Sequence, residues 1–156
     1  YIPRKATPDW CEDDSMWWEV YMGKPWRAVP NPPESYTCGE LVREILRERC
    51  GIETPEVLAN AAVLRECVQA MQPARYDLRP LVCSESPQEY DVAFLVRATK
   101  EDHVGIAVET GEGLRILHCQ QGVGVTWDSP AELLGAGVRH INWYRHTAIG
   151  GESCPA

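Results

Sequence analysis

The hydrophobic period of this chain changes near residue 91, and that change limits its fold more than any other feature. Before it, apolar residues recur at helical spacing. Leu41, Val42, Ile45 and Leu46 form one stripe, with Arg43, Glu44, Arg47 and Glu48 on the opposite side. A second helical stretch opens at Thr54-Pro55, a cap followed by proline, and runs through Val57, Leu58, Ala61, Ala62, Leu64 and Val68 until Pro73. After it the period is two, and 91–97, 103–109, 114–119, 123–127 and 138–144 read as short strands. Helices first and strands afterwards predict an α+β fold, with N-terminal helices packed on an antiparallel sheet of about five strands.

A chain of 156 residues is expected to form one domain, 1–149, ending in a frayed tail at 150–156. Its first part, 1–20, is acidic and aromatic, and Trp17, Trp18 and Tyr21 are expected to begin a short helix docked on the body, because large aromatics are costly to leave wet. The proline-rich stretch 23–36 is expected to be an ordered loop, and 74–90 a further loop. A net charge of −8 and a pI near 5.0 oppose nucleic-acid recognition, which needs a basic footprint. No apolar run approaches the length of a membrane span, and no signal-peptide pattern is visible. Seven cysteines without a C-x-x-C pair suggest a reduced protein made in the cytoplasm rather than a disulfide scaffold. A zinc site built from His118 and Cys119 with His140 or His146 lacks paired spacing, since adjacent strand residues point to opposite faces.

One of these cysteines has a distinctive setting. Thr37 and Glu40 flank Cys38 in capping-box spacing, and Gly51 stands where the helix should stop. Cys38 therefore falls at the first helical position, where unpaired backbone N–H groups favour a thiolate. Gly39 leaves room for a substrate to approach. Downstream, His103, Gly105 and Ala107 share one strand face, and small residues beside a histidine suit close approach by a helix. A hairpin closed on Thr110-Gly111 would pair Glu109 with Glu112 and set His118 directly across from His103. A nucleophile, an imidazole and an orienting group then make an activated-cysteine constellation. His140 and His146 have no such context and read as structural.

Taken in order over residues 17–146, several segments resemble one known family. They are Gly23-Lys24-Pro25-Trp26, Tyr36-Thr37-Cys38-Gly39-Glu40-Leu41-Val42, Tyr90-Asp91-Val92-Ala93-Phe94, Asp102-His103-Val104-Gly105-Ile106 and Ile116-Leu117-His118. The family is the NlpC-type, papain-fold cell-wall cysteine peptidases, in the branch found in bacteriophage tail assembly. The resemblance implies a papain-like NlpC fold and hydrolysis of a peptide-stem amide of peptidoglycan, with no metal or cofactor. It implies Cys38 as nucleophile, His103 as general base and acid, and His118 as the residue orienting His103. Trp26 falls where many members carry a site-lining tyrosine, and Tyr36, Thr37 and Gly39 accompany it as substrate-side positions. The implied partners are the stem peptide and the tail proteins of a virion. Thr37 stands where members usually have aspartate, and Glu40 where they have glycine. Two alternatives stay open: a papain-like module kept as a tail assembly or interaction piece, and an amidase or acyltransferase acting on another substrate.

Overall fold

The computed structural model describes residues 14–55 and 72–149. The first long element, α1 (Cys38–Cys50), begins and ends where its sequence requires. Thr37 holds an extended backbone and its hydroxyl accepts from the Glu40 amide at 3.2 Å. The Glu40 carboxylate pairs with Arg43, one turn on, at 3.2 Å. Gly51 adopts φ 69°, and its amide closes on the Arg47 and Leu46 carbonyls. Leu41, Val42, Ile45 and Leu46 are buried, as the stripe predicts. The helix expected from Thr54-Pro55 falls largely on 56–71, outside the described residues. No helix among the described residues is long and apolar enough to cross a membrane.

Six strands form one antiparallel sheet: β1 (Leu78–Pro80), β2 (Val92–Val96), β3 (Glu101–Thr110), β4 (Gly113–Gln120), β5 (Gly124–Asp128) and β6 (His140–His146). Their order is β1-β6-β2-β3-β4-β5. The α+β reading holds, with one strand more than expected. The extra strand, β1, lies inside the stretch 74–90 read as loop, after a 3₁₀ turn at Pro73–Tyr76. Three residues are too few to show a period, and Pro80 is tolerated because β1 is an edge strand. A short helix, α2 (Pro130–Gly135), also escaped the periodicity, although Ser129 and Glu132 form a complete capping box at its start.

Alternation along the strands gives the sheet two distinct faces. On one, Val92, Phe94, Val104, Ile106, Val108, Leu117 and Cys119 pack with the buried stripe of α1. A 3₁₀ helix, Asp14–Tyr21, adds Trp17, Trp18 and Tyr21 to this core, as expected of those aromatics. Trp18 stacks on Trp127 at 4.3 Å, and Trp17 on Tyr90 at 5.2 Å. On the other face, Ala93, Leu95 and Ile116 meet Leu133 and Val138. Helix α1 therefore covers the Val104–Ile106–Val108 side of β3. The expectation that it would pack on the His103–Gly105–Ala107 side is corrected, because three large apolar residues bury more surface against a helix than two small ones.

The β3–β4 register also differs from the expected one. Thr110 pairs with Gly113, so the turn residues are Gly111 and Glu112, and His118 lies opposite Gly105 rather than His103. The Thr110 hydroxyl bonds the Gly113 carbonyl at 2.7 Å and receives the Glu112 amide at 3.2 Å, while Gly113 takes φ 112°. These contacts move the turn one residue along and the pairing by two. An even displacement keeps every side chain on its own face, so His103 and His118 still share one.

Gly105 sits at the tightest crossing between the two strands. A Cβ there would lie 2.5 Å from the Ile116 Cγ2, 2.9 Å from the Leu117 carbonyl oxygen and 3.1 Å from the His118 Cβ. Gly105→Ala is expected to lower stability by about 1–3 kcal/mol through overpacking. Urea unfolding compared with the parent chain measures this, and an unchanged midpoint would show that the strands part without cost.

Candidate active site

Cys38 owes its position to the Thr37 cap. It is half-buried at the first turn of α1, beside Gly39, which lines a small apolar cavity with Val42, Tyr76 and Val104. A helix N-terminus carries partial positive charge, a setting known to stabilise thiolates in general. Cys119 lies close by on β4. Its thiol is buried, donates to the Tyr36 carbonyl at 3.5 Å, and is pushed up to about 12, by burial first and by the nearby Cys38 second. Cys50, at the far end of α1, is pushed up to about 11 by burial. Cys119 and Cys50 are thus poor thiolates.

The histidines meet on the opposite face. His103 Nε2 stands 2.8 Å from His118 Nδ1, with the rings 5.0 Å apart and nearly perpendicular at 77°. Although His118 lies across from Gly105, the missing side chain there leaves the diagonal approach to His103 open. His118 Nε2 is in turn 2.8 Å from Asp128 Oδ2, and the Gln120 amide nitrogen lies 3.4 Å from His118 Nδ1. His118 is fully buried and His103 only 7 % exposed. Burial drives the His103 pKa well below its ordinary value, with the neighbouring His118 and Arg97 adding to it. Burial also lowers His118; Asp128 pulls the other way and Arg97 adds to the lowering. Both rings are neutral at pH 7.

The structure brings His103, His118 and Asp128 into one hydrogen-bonded run. It places Cys38 with the face that carries Val104 and Cys119, whereas the histidines lie with Leu95 and Ile116. His103 stands near the leading end of β3. There the pairing slips between Leu95 and Val96, opposite the extra residue Asp102. His103 uses Nε2 toward His118, which leaves Nδ1 as the ring nitrogen to present to a thiol.

Among the substrate-side positions, Trp26 and Tyr36 are joined by a short parallel bridge that folds the proline-rich loop. Tyr36 is only 1 % exposed and packs against Tyr21, and burial lifts its phenol to about 12. Its ring belongs to the core. Trp26 is half-buried against the same core, and the Thr37 hydroxyl serves the cap. His146 is buried and its Nδ1 accepts from the Ala148 amide at 3.0 Å, a structural role; His140 is exposed at the start of β6. His118 and Cys119 point to opposite faces, which parts the two central groups of the zinc reading. Asp128 is the site residue that the sequence reading missed. It lies one position past the strand predicted to end at Trp127, yet it pairs with Ile116 and so shares the face of His118. No family model matches the chain, and no curated protein matches it.

Neutral buried histidines make stability depend on pH. In the unfolded chain a histidine protonates near pH 6.5, whereas His103, His118 and His146 resist protonation in the fold. Their contribution is complete above about pH 6.5 and is lost as pH falls below it. The slope is about 1.4 kcal/mol per pH unit for each histidine until the native ring itself titrates. Urea unfolding at pH 7.5 and 5.5 should show this loss, reduced in His118→Gln. Equal stability at the two pH values would contradict neutral burial.

Proposed function

We propose that the chain is a cysteine peptidase of the papain-like NlpC type, cleaving peptide-stem amides of peptidoglycan within a phage tail or a similar cell-wall-penetrating assembly. The observation that carries this reading is the 2.8 Å His103–His118 contact, made from the strand whose Cys119 lies close to the capped Cys38. A peptidase of this kind needs a thiol at a helix N-terminus, an imidazole held by a second polar group, and little else. His103 takes the Cys38 proton as general base, and the thiolate attacks the scissile carbonyl. The Cys38 amide helps to hold the oxyanion. The tetrahedral species collapses as His103 returns the proton to the leaving amine, and water then releases the acyl-enzyme, again with His103 as base. An amidase or acyltransferase would use the same groups on another carbonyl.

A second reading has its own support. The opposite-face arrangement of α1 and the histidines, with Thr37, Glu40 and Trp26 at positions that differ from the family pattern, fits a papain-like module kept for tail assembly. Iodoacetamide separates the two. In an active enzyme Cys38 labels at neutral pH much faster than the exposed Cys83, whereas Cys50 and Cys119 stay slow. Equal rates at Cys38 and Cys83 favour the module.

Purified peptidoglycan digested with the chain should release muropeptides whose masses identify the cut amide. Cys38→Ala should lower that rate by about 10⁴-fold or more, as loss of a nucleophile does. Full activity in Cys38→Ala, or its abolition by EDTA, would overturn the mechanism.

A further inference from the structure

With both rings kept neutral by burial, protons can be placed along the His103–His118–Asp128 run from its distances. A carboxylate carries only acceptors, so Asp128 Oδ2 at 2.8 Å requires a hydrogen on His118 Nε2. A neutral imidazole carries one hydrogen, which leaves His118 Nδ1 as an acceptor. The Gln120 amide nitrogen, which can only donate, faces that same Nδ1 at 3.4 Å. The remaining contact to Nδ1, from His103 Nε2 at 2.8 Å, must then be a donation by His103. With its hydrogen on Nε2, His103 has a bare Nδ1. Each proton assignment follows from the one before, and the chain starts at the carboxylate.

We propose that Asp128 is a positioning residue that sets the direction of this relay and so makes His103 Nδ1 the basic nitrogen of the site. Without Asp128, His118 is free to carry its hydrogen on Nδ1. It would then donate to His103 Nε2 and drive the His103 hydrogen onto Nδ1, the wrong nitrogen for accepting a proton from a thiol. Asp128 acts two residues away from that event, through His118, and its side chain is 30 % exposed, so it is held at the rim of the buried pair rather than within it. The catalytic consequence rests on the peptidase reading above; the proton placement does not.

Long-range ¹H–¹⁵N correlation spectra of the histidine rings test the placement in the unmodified chain. His103 and His118 should both carry hydrogen on Nε2 with Nδ1 bare. In Asp128→Ala the His118 ring should become a mixture of tautomers, and His103 with it, with only the Gln120 amide left to bias them. Peptidoglycan hydrolysis by Asp128→Ala should fall about 10–100-fold in kcat, the range typical of lost outer-shell partners, with KM within about twofold. Added formate, or Asp128→Glu, should restore part of the loss together with the parent ring spectrum. A hydrogen on His103 Nδ1 in the unmodified chain, or ring spectra unmoved by Asp128→Ala, would overturn the inference whatever the activity. If the unmodified chain hydrolyses nothing and Cys38 labels no faster than Cys83, the peptidase reading fails, and the ring spectra still decide for or against Asp128.

Discussion

A buried ion pair between the start of β2 and the end of β6 holds the frame on which everything else is mounted. Arg145 grips both oxygens of Asp91, Nε to Oδ1 at 2.7 Å and Nη2 to Oδ2 at 2.8 Å. Asp91 is fully buried and Arg145 nearly so. Either charge alone would be strongly unfavourable there, so the pair is tolerable only because its remaining valences are filled. Asp91 accepts the Gln88 amide, and Arg145 also reaches Glu85 and the Ser86 carbonyl. The Asp91 carbonyl takes the Ala107 amide at 2.8 Å, which carries the restraint from β2 and β6 into β3. The strand that bears His103 is thus tied, through its neighbours, to a set of contacts with little freedom to shift.

On that frame the sheet divides its labour by face. The α1 face is greasy and helical, and it brings a cysteine to a helix end, where the backbone favours an anion. The other face carries Ala93, Leu95 and Ile116 and excludes water from two buried imidazoles. Exclusion keeps the rings uncharged, which suits a base that must be empty before it can accept a proton. The same exclusion would penalise any charge that lingered, so an imidazolium formed beside His118 would be short-lived without a negative partner. Asp128 is the negative group in contact with this pair.

Much of this was legible in the residues. Thr37 and Gly51 bracket α1 because capping chemistry is local, and the five longer strands follow from short apolar or alternating runs. The shared face of His103 and His118 was legible too, because face depends on whether a register is odd or even, and that survives an error of two residues. What was not legible depended on contacts remote in the chain or on elements too short to repeat. The true register was decided by the Thr110 hydroxyl and the positive φ of Gly113. The three residues of β1 exist only because β6 is there to pair with them. Asp128 lay beyond a strand boundary misplaced by one residue. The choice of which β3 face receives α1 turned on the relative bulk of Val104, Ile106 and Val108 against Gly105 and Ala107, and small residues next to a histidine drew attention to the wrong side. Small size at Gly105 serves the crossing of Ile116 and His118 instead.

The β3–β4 hairpin carries a consequence for how such a chain can vary. Because the two histidines cooperate only while they stand on one face, the stretch joining them can lengthen or shorten freely in steps of two and hardly at all in steps of one. A single inserted residue, unless a bulge absorbed it, would turn His118 into the helical core and bring Cys119 or Leu117 round to His103. Hairpin length in related sequences is therefore a discrete variable, and an odd change between the two histidines should coincide with a compensating bulge or with the loss of one of them.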